Sequence, residues 1–523
     1  MNASTTPPSG TDPIVEPSAA APAEAVAAPA AASPATAASP ASPTSAGRLA
    51  ALGVTGPATF RRTARLILQQ GWPVLVGQWA GMAFGVLDTA MTGHASPTAL
   101  AAMALAVSIY ITVFVGLMGV LHALIPIIAQ HFGAGRLDRI GHTWGQGVWL
   151  ALGLSALGAT AMMFPDVWLS MSGDVSPEVR EQVSGYLMML AIALPAGLVF
   201  RTVYALNTAV SRPKVVMMIN LLGVGLKFIF NWIFIYGNLG APDMGAVGAG
   251  LSTALVYWIS LGISAAILLR DPFYRRFSMR IGRPDWKALG ELLHLGVPMG
   301  ASYLIEVTSF TFMALLVARE GVFATGGHQI MSNLAAVCFM MPMALGVATA
   351  ALTAQAIGAG DYPRARRIGA TGLRLAMTGA VLTVLVMLVG RQAIVGAYTN
   401  DPKVALVALG LLNLLTLFHL ADALQCMTAY LLRAYKVAVI PMFIQAGVLW
   451  GIGLTGGWYL AFGPGAGSVA GIVERFMPGA TPGAGTMWLM AALSLLISGL
   501  LLQGWYQRIV RKLAARTGIR PAA

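Results

Sequence analysis

Residues Leu292 to Val317, LLHLGVPMGASYLIEVTSFTFMALLV, decide the fold class. The run exceeds the roughly 20 apolar residues that an α-helix rising about 1.5 Å per residue needs to cross a bilayer. It holds one full charge, Glu306, and no basic residue to neutralise it. His294 lies about 18 Å and Arg319 about 20 Å away along the helix, which sets Glu306 near mid-membrane. An ionisable group there costs on the order of 2.5 kcal/mol or more and persists only against a cavity or a partner. Two readings stand. One is a protonated glutamate bonded between helices for packing; the other is a cation or proton site inside a transporter.

The rest of the chain has the matching composition. Its 523 residues are 57% hydrophobic and only 10% charged, with a mean hydropathy of +0.74. Soluble domains carry about 25% charged residues, so this is an all-α integral membrane protein with the lipid bilayer as its solvent. The formal net charge of +13 sits in short loops between apolar spans, which is the positive-inside pattern. No contiguous basic-aromatic face is present, so no nucleic acid partner is expected. Cys338 and Cys426 lie inside apolar spans and read as packing residues.

Twelve apolar segments are expected, at roughly 71–93, 103–128, 144–166, 184–205, 215–237, 247–269, 294–317, 328–353, 369–390, 404–432, 437–462 and 484–505. Arg61, Arg62 and Arg65 precede the first. Arg136 and Arg139, Arg212 and Lys214, Arg275 to Lys287, Arg364 to Arg367, and Arg433 and Lys436 all follow even-numbered spans. The opposite loops carry Asp166, Asp174, Glu178, Glu181 and Asp243. Both termini are therefore expected in the cytoplasm of a bacterial inner membrane protein. Residues 1–60, rich in Ala, Pro and Ser, are expected to be disordered and carry no signal-peptide pattern. The expected organisation is a first lobe at 61–269, a cytoplasmic linker at 270–293, a second lobe at 294–505 and a basic tail at 506–523.

The two lobes are an internal repeat. Pro73 and Pro298, Ala129-Gln130 and Ala354-Gln355, Gly133-Ala134-Gly135 and Gly358-Ala359-Gly360, and Arg139 and Arg364 are each 225 positions apart. An even number of spans per copy makes the copies parallel, six helices each, related by an axis along the membrane normal. The intramembrane charges are not repeated: Glu306 matches Gly81, and Asp88 matches Met313.

Asp422, in the tenth span, lies about 17 Å from Arg433, a depth that matches Glu306 on an oppositely running helix. Two carboxylates at one depth could share a cation or share protons, once their azimuths bring them together. Asp88 sits in the outer half of the first span. Lys227 and Asn231, four apart on one face of the fifth, bracket its depth; an Asp–Lys pair there can be purely structural. Gln78, Asn220, Asn333, Gln425 and Gln445 are further intramembrane polar groups, each read as interhelical glue or a substrate contact. His122, His131, His328 and His419 show no metal-ligand spacing and read as packing or loop residues. No P-loop motif and no Cys/His cluster occurs, so neither a primary pump with its own ATPase nor an enzyme is expected.

At FGVLDTAMTG (84–93), ALIPIIAQHFGAGR (123–136), NWIFIYG (231–237), EVTSFTFMALLV (306–317) and ADALQCMTAYLLRAYK (421–436) the chain resembles the multidrug and toxic compound extrusion (MATE) family, in particular its NorM branch. The resemblance runs from about Arg65 to about Leu502 and leaves out the amino-terminal segment and loop 463–483. It implies a monomeric antiporter without a cofactor, in which Na+ or H+ enters while diverse, often cationic drugs leave. It also implies cation binding, Na+ included, at Glu306 and Asp422, and a coupling role for Asp88. The family's first-lobe site uses two polar residues four apart on helix five. Asn231 matches the second, but Lys227 stands where asparagine is often found. A lysine beside Asp88 fills the electrostatic role of sodium, so coupling is expected to rest on Glu306 and Asp422. The alternative cargo within the superfamily is a lipid-linked oligosaccharide or polysaccharide, whose carriers present a cationic cavity. Here, apart from Lys227 and Arg201 at the membrane edge, basic groups stay out of the spans.

Overall fold

Prolines and short polar caps set where the helices begin. Ser96 accepts from the Ala99 amide ahead of Pro97, Ser176 from that of Val179 ahead of Pro177, and Asp401 from those of Lys403 and Val404 ahead of Pro402. Each cap satisfies an amide that the first helical turn leaves free, and proline at the first position sacrifices none. The computed structural model describes residues 59–169 and 176–516. Residues 1–58, Asp174 and residues 517–523 of the basic tail lie outside the described residues.

Among the described residues twelve long helices follow one another: α1 Phe60–Ala95, α2 Pro97–Gly133, α3 Leu137–Met162, α4 Pro177–Ala209, α5 Pro213–Phe234, α6 Gly245–Arg270, α7 Trp286–Val317, α8 Val322–Gly358, α9 Tyr362–Tyr398, α10 Pro402–Ala434, α11 Val439–Ala461 and α12 Pro482–Arg516. Eleven are long and apolar enough to cross a membrane. The other, α3, has 26 residues and carries Asp138, Arg139, His142 and Gln146 in its first half, which lowers its hydropathy. A turn at His122 and Ala123 interrupts α2, and the middle of α11 is a π-helix, Ala446–Gly456. Segment 463–483 contains a short helix, Ala470–Phe476. Just beyond it Glu320, from the α7–α8 turn, accepts from Thr481 Oγ1 and from the Gly483 and Ala484 amides at 2.6, 2.8 and 2.7 Å. An anion at a helix start offsets the positive end of the helix dipole.

The 225-residue offset holds for the backbone itself. Helices start at 97 and 322, 137 and 362, and 177 and 402, and they end at 133 and 358, and 209 and 434. Gly135 and Gly360 both have positive φ, as do Ser211 and Lys436, where two non-glycine residues close α4 and α10 in the left-handed region. Residues Phe60–Arg270 and Trp286–Arg516 thus repeat one helical scaffold.

The repeats meet at the end of the bundle that carries the basic loops, called here the basic face. A β-carbon on Gly119 would stand 2.6 Å from the Gly300 α-carbon, so α2 and α7 touch backbone to backbone. One apolar core joins Leu121, Leu124 and Ile128 of the first repeat to Met299, Val347, Ala351 and Tyr430 of the second. Further along α1, toward the opposite face, a β-carbon on Gly81 or Gly85 would meet nothing.

The linker is a docked strap. Gln146 of α3 donates to the Arg283 carbonyl at 3.0 Å and accepts from the Asp285 amide at 2.8 Å, and Trp149 Nε1 donates to the Gly282 carbonyl at 2.8 Å. Gly145 is pressed on the same segment: a β-carbon there would lie 2.7 Å from the Arg280 carbonyl oxygen. Arg212 binds Asp271 at 2.6 Å with its guanidinium 4.3 Å from the Phe273 ring centroid. The Phe273 amide, and then Arg212, hold the Asp271 carboxyl below its usual range. Replacing Gln146 by Leu removes both strap bonds; trypsin cleavage after the exposed Arg280 is expected to speed up roughly tenfold. Unchanged cleavage on a gel time course would show that the strap is held elsewhere.

Candidate functional site

Two groups of charged residues are buried among the helices, and they are built differently. In the first repeat, Asp88 of α1 is 6% exposed, and Lys227 and Asn231 of α5 are fully buried. Lys227 Nζ lies 2.8 Å from Asp88 Oδ1. It also donates to the Ala249 carbonyl at 2.8 Å and to Thr253 Oγ1 at 2.5 Å, both on α6. Asn231 Nδ2 donates to the same Asp88 oxygen at 2.8 Å. An ammonium has three N–H donors, and here three oxygens receive them. The lysine therefore occupies an oxygen cage with its charge matched by one carboxylate. The four-residue spacing of Lys227 and Asn231 on α5 turns both side chains toward α1, as the shared face required.

In the second repeat the carboxylates are left open. Glu306 of α7 is half-buried and Asp422 of α10 is 4% exposed, and both line one cavity of about 350 Å³. Its walls add Tyr303, Val307 and Phe310 of α7, Ser332, Ala335, Phe339 and Met340 of α8, and Phe418 of α10. The matched depth of Glu306 and Asp422 is thus joined by matched azimuth. Tyr303 and Phe310 flank Glu306 three and four residues away, and Phe418 lies four before Asp422, so each acid shares a helix face with aromatic rings. Phe310 and Phe418 pack edge to face with centroids 6.0 Å apart. Two acids among aromatic rings and a methionine are chemistry suited to a cation, inorganic or organic: rings attract it through their faces, and thioethers adapt to its shape.

Sequence reasoning missed the floor beneath this cavity. Arg433 is 7% exposed and not a loop residue at the basic face. Its Nη1 donates to the Tyr303 hydroxyl at 2.8 Å. That hydroxyl also bonds the Tyr430 hydroxyl at 2.8 Å and His122 Nδ1 at 3.1 Å. His122 belongs to the first repeat, so it closes the floor between the repeats and is more than packing. Arg201, half-buried on α4, lies over Phe114 and Tyr204, 5.6 and 5.9 Å from their centroids. The three-residue spacing of Tyr430 and Arg433 was a visible signal of a shared face. The partner across the repeats was not visible.

The remaining polar candidates are dispersed. Gln78 reaches the Met343 sulfur at 3.6 Å across the repeats, Asn220 donates to the Gly77 carbonyl at 3.2 Å, and Asn333 pairs with Gln329 on one exposed face. Gln425 and Gln445 are buried, and Gln425 Nε2 and Gln445 Oε1 have no hydrogen-bond partner among the described residues. None of the five is among the residues lining the cavity that holds Glu306 and Asp422.

Comparison with known proteins fits this architecture. A family model, MatE, matches twice, over residues 73–233 and 298–458. The chain is 38% identical over 411 residues to a probable multidrug resistance protein NorM of Aromatoleum aromaticum, covering 78% of this chain and 89% of that one. It is 34% identical over 404 residues to a multidrug resistance protein MdtK of Edwardsiella ictaluri, covering 77% and 88%. Among solved structures it is similar in fold to the eukaryotic MATE transporter AtDTX14, with TM-score 0.76 and 18% identity over 87% of this chain and 99% of that one. A Vibrio cholerae MATE transporter, VcmN in the bent form, gives 0.74 and 18% over 87% and 99%.

The Asp88–Lys227 pair makes a stability prediction. Asp88→Asn strands a buried ammonium and is expected to cost about 3 to 5 kcal/mol, whereas adding Lys227→Met restores most of it. Thermal unfolding of the purified protein reads both. A single variant as stable as the wild type would show that the pair is not the counter-charge described.

Proposed function

The chain belongs to the MatE family, and on that premise we propose that it is a multidrug efflux transporter coupled through Glu306 and Asp422. Na+ or H+ moves inward at these carboxylates as a drug, often an organic cation, moves out. The protein is a transporter and not an enzyme. The single observation that carries the coupling assignment is the contrast between the two acidic groups: Glu306 and Asp422 face one cavity, while Asp88 is already neutralised by Lys227. An exchangeable cation needs an acid that is not already ion-paired, and among the described residues Glu306 and Asp422 stand on a cavity wall with no cation in ion-pair contact.

The same reading gives the membrane orientation and the cycle. The basic face is the cytoplasmic one in a bacterial inner membrane, since short basic loops stay inside. The lobes at 61–269 and 294–505, joined by the strap at 270–293, rock against each other in a single protomer, closing in turn at the basic face and at the opposite face. Backbone contact between the repeats at the basic face corresponds to a state closed on the cytoplasmic side. Cation binding then competes with drug for the same two carboxylates, so an inward gradient of the cation displaces drug into the outer medium. The buried Arg433 does not favour a phosphate-bearing lipid cargo: it lies under the cavity, and the charges on the cavity wall are acidic.

Ethidium export from proteoliposomes, driven by a sodium gradient and by a pH gradient in turn, tests this. Glu306→Gln and Asp422→Asn are each expected to reduce gradient-driven export about tenfold or more, the loss of roughly 1.4 kcal/mol of coupling. The combined Asp88→Asn, Lys227→Met variant is expected to keep its ion dependence. Absence of transport under either gradient would refute antiport. Ion-stimulated export that survives in both second-repeat variants and vanishes in the first-repeat one would reverse the assignment.

A further inference from the structure

The repeated motif Ala-Gln-x-x-Gly-Ala-Gly, at 129–135 and 354–360, takes part in neither charged site. It ends α2 and α8 at the basic face. There Gln130 Nε2 donates at 2.9 Å to the carbonyl of Ala434, the last residue of α10. Gln355 Nε2 donates at 2.7 Å to the carbonyl of Ala209, the last residue of α4, and at 3.0 Å to Ser211 Oγ. Both bonds cross from one repeat to the other. The two donors are 225 positions apart and so are the two acceptors, Ala209 and Ala434; this is one bond made twice about the internal axis. The helix ends supply the acceptors, because a last-turn carbonyl has no amide partner within its own helix. The glycines complete the contact. A β-carbon on Gly133 would overlap the Gln355 carbonyl, and one on Gly358 would overlap that of Gln130. Each glutamine backbone is thus pressed on the opposite glycine while its side chain ties down a helix end of the opposite repeat.

We propose that Gln130 and Gln355 are positioning residues of the transport cycle, a two-point latch that holds the repeats closed at the basic face and must break at both points for the inward-facing state to form. The inference rests on the alternating-access reading above. The chemistry suits a switch. A neutral amide–carbonyl bond exchanges for water when the face opens, so its net strength is modest. It carries no charge, so neither the proton nor the sodium that drives the cycle titrates it. The glutamine–carbonyl bond recurs on both sides of the internal axis, and Gln355 adds one to Ser211 Oγ that Gln130 lacks.

Electron–electron distance measurements in nanodiscs, with Cys338 and Cys426 replaced by Ala, test the latch. One label pair sits on the basic face at Asp138→Cys and Arg366→Cys. A second sits on the opposite face at Leu239→Cys and Val322→Cys, positions 81% and 80% exposed in the unlabelled protein. Gln130→Leu or Gln355→Leu is expected to raise the ratio of open to closed basic face roughly tenfold, and the double variant roughly a hundredfold. The opposite-face pair is expected to shorten in the same samples. Gly133→Ala, which wedges the contact apart, is expected to act in the same direction. Distributions unchanged at both faces in the folded double variant and in Gly133→Ala would overturn the proposal. So would a loss of thermal stability without the reciprocal shift. Failure of the wild-type protein to export ethidium would count against the transport reading, while the distances still decide the latch.

Discussion

A charge in the middle of a membrane protein must have a counter-charge, a cavity or a proton, because the bilayer offers nothing else. This constraint organises the molecule. Asp88 meets it with a covalently attached cation: the Lys227 ammonium sits 2.8 Å from its oxygen and spends its other donors on α6. Glu306 and Asp422 meet it with a shared cavity. The first arrangement is closed and the second is open to exchange, and that difference is the physical basis of the proposal that ion coupling resides in the second repeat.

The duplication copies geometry and not charge. Helix starts, helix ends and left-handed residues recur at one offset, whereas Glu306 corresponds to Gly81 and Asp88 to Met313. The His122–Tyr303 bond at the cavity floor likewise corresponds to Val347 and Gln78. Contacts that lie beside the internal axis, such as those of Gln130 and Gln355, can be repeated because both copies meet there. A site inside one repeat has no such constraint and is free to diverge. Symmetric closure and asymmetric chemistry are thus compatible in one chain.

Sequence periodicity reached the class and the helix count, because burial in lipid leaves long apolar runs, and helical rise set Glu306 and Asp422 at one level, where they line one cavity. It located less well what depends on helix ends. α9 runs from Tyr362 to Tyr398, well beyond the apolar stretch at 369–390, since a helix continues past the bilayer until a cap or a proline ends it. The caps at Ser96, Ser176, Asp361 and Asp401 were present in the sequence and mark these ends better than hydropathy does. Arg433 was misplaced for a related reason: a basic residue near a helix end reads as a loop residue unless its partners, here Tyr303 and Tyr430, are known. Azimuth was equally out of reach. That Asp422 and Glu306 line one cavity follows from how α7, α8 and α10 come together around it, which no local pattern encodes.

The measurement closest to the central claim is a count of cations bound at equilibrium by the purified, drug-free protein, sodium by isotope and protons by titration. The account predicts exchangeable binding that is lost in the combined Glu306→Gln, Asp422→Asn variant and kept in the combined Asp88→Asn, Lys227→Met variant. Binding kept in the former and lost in the latter would contradict it.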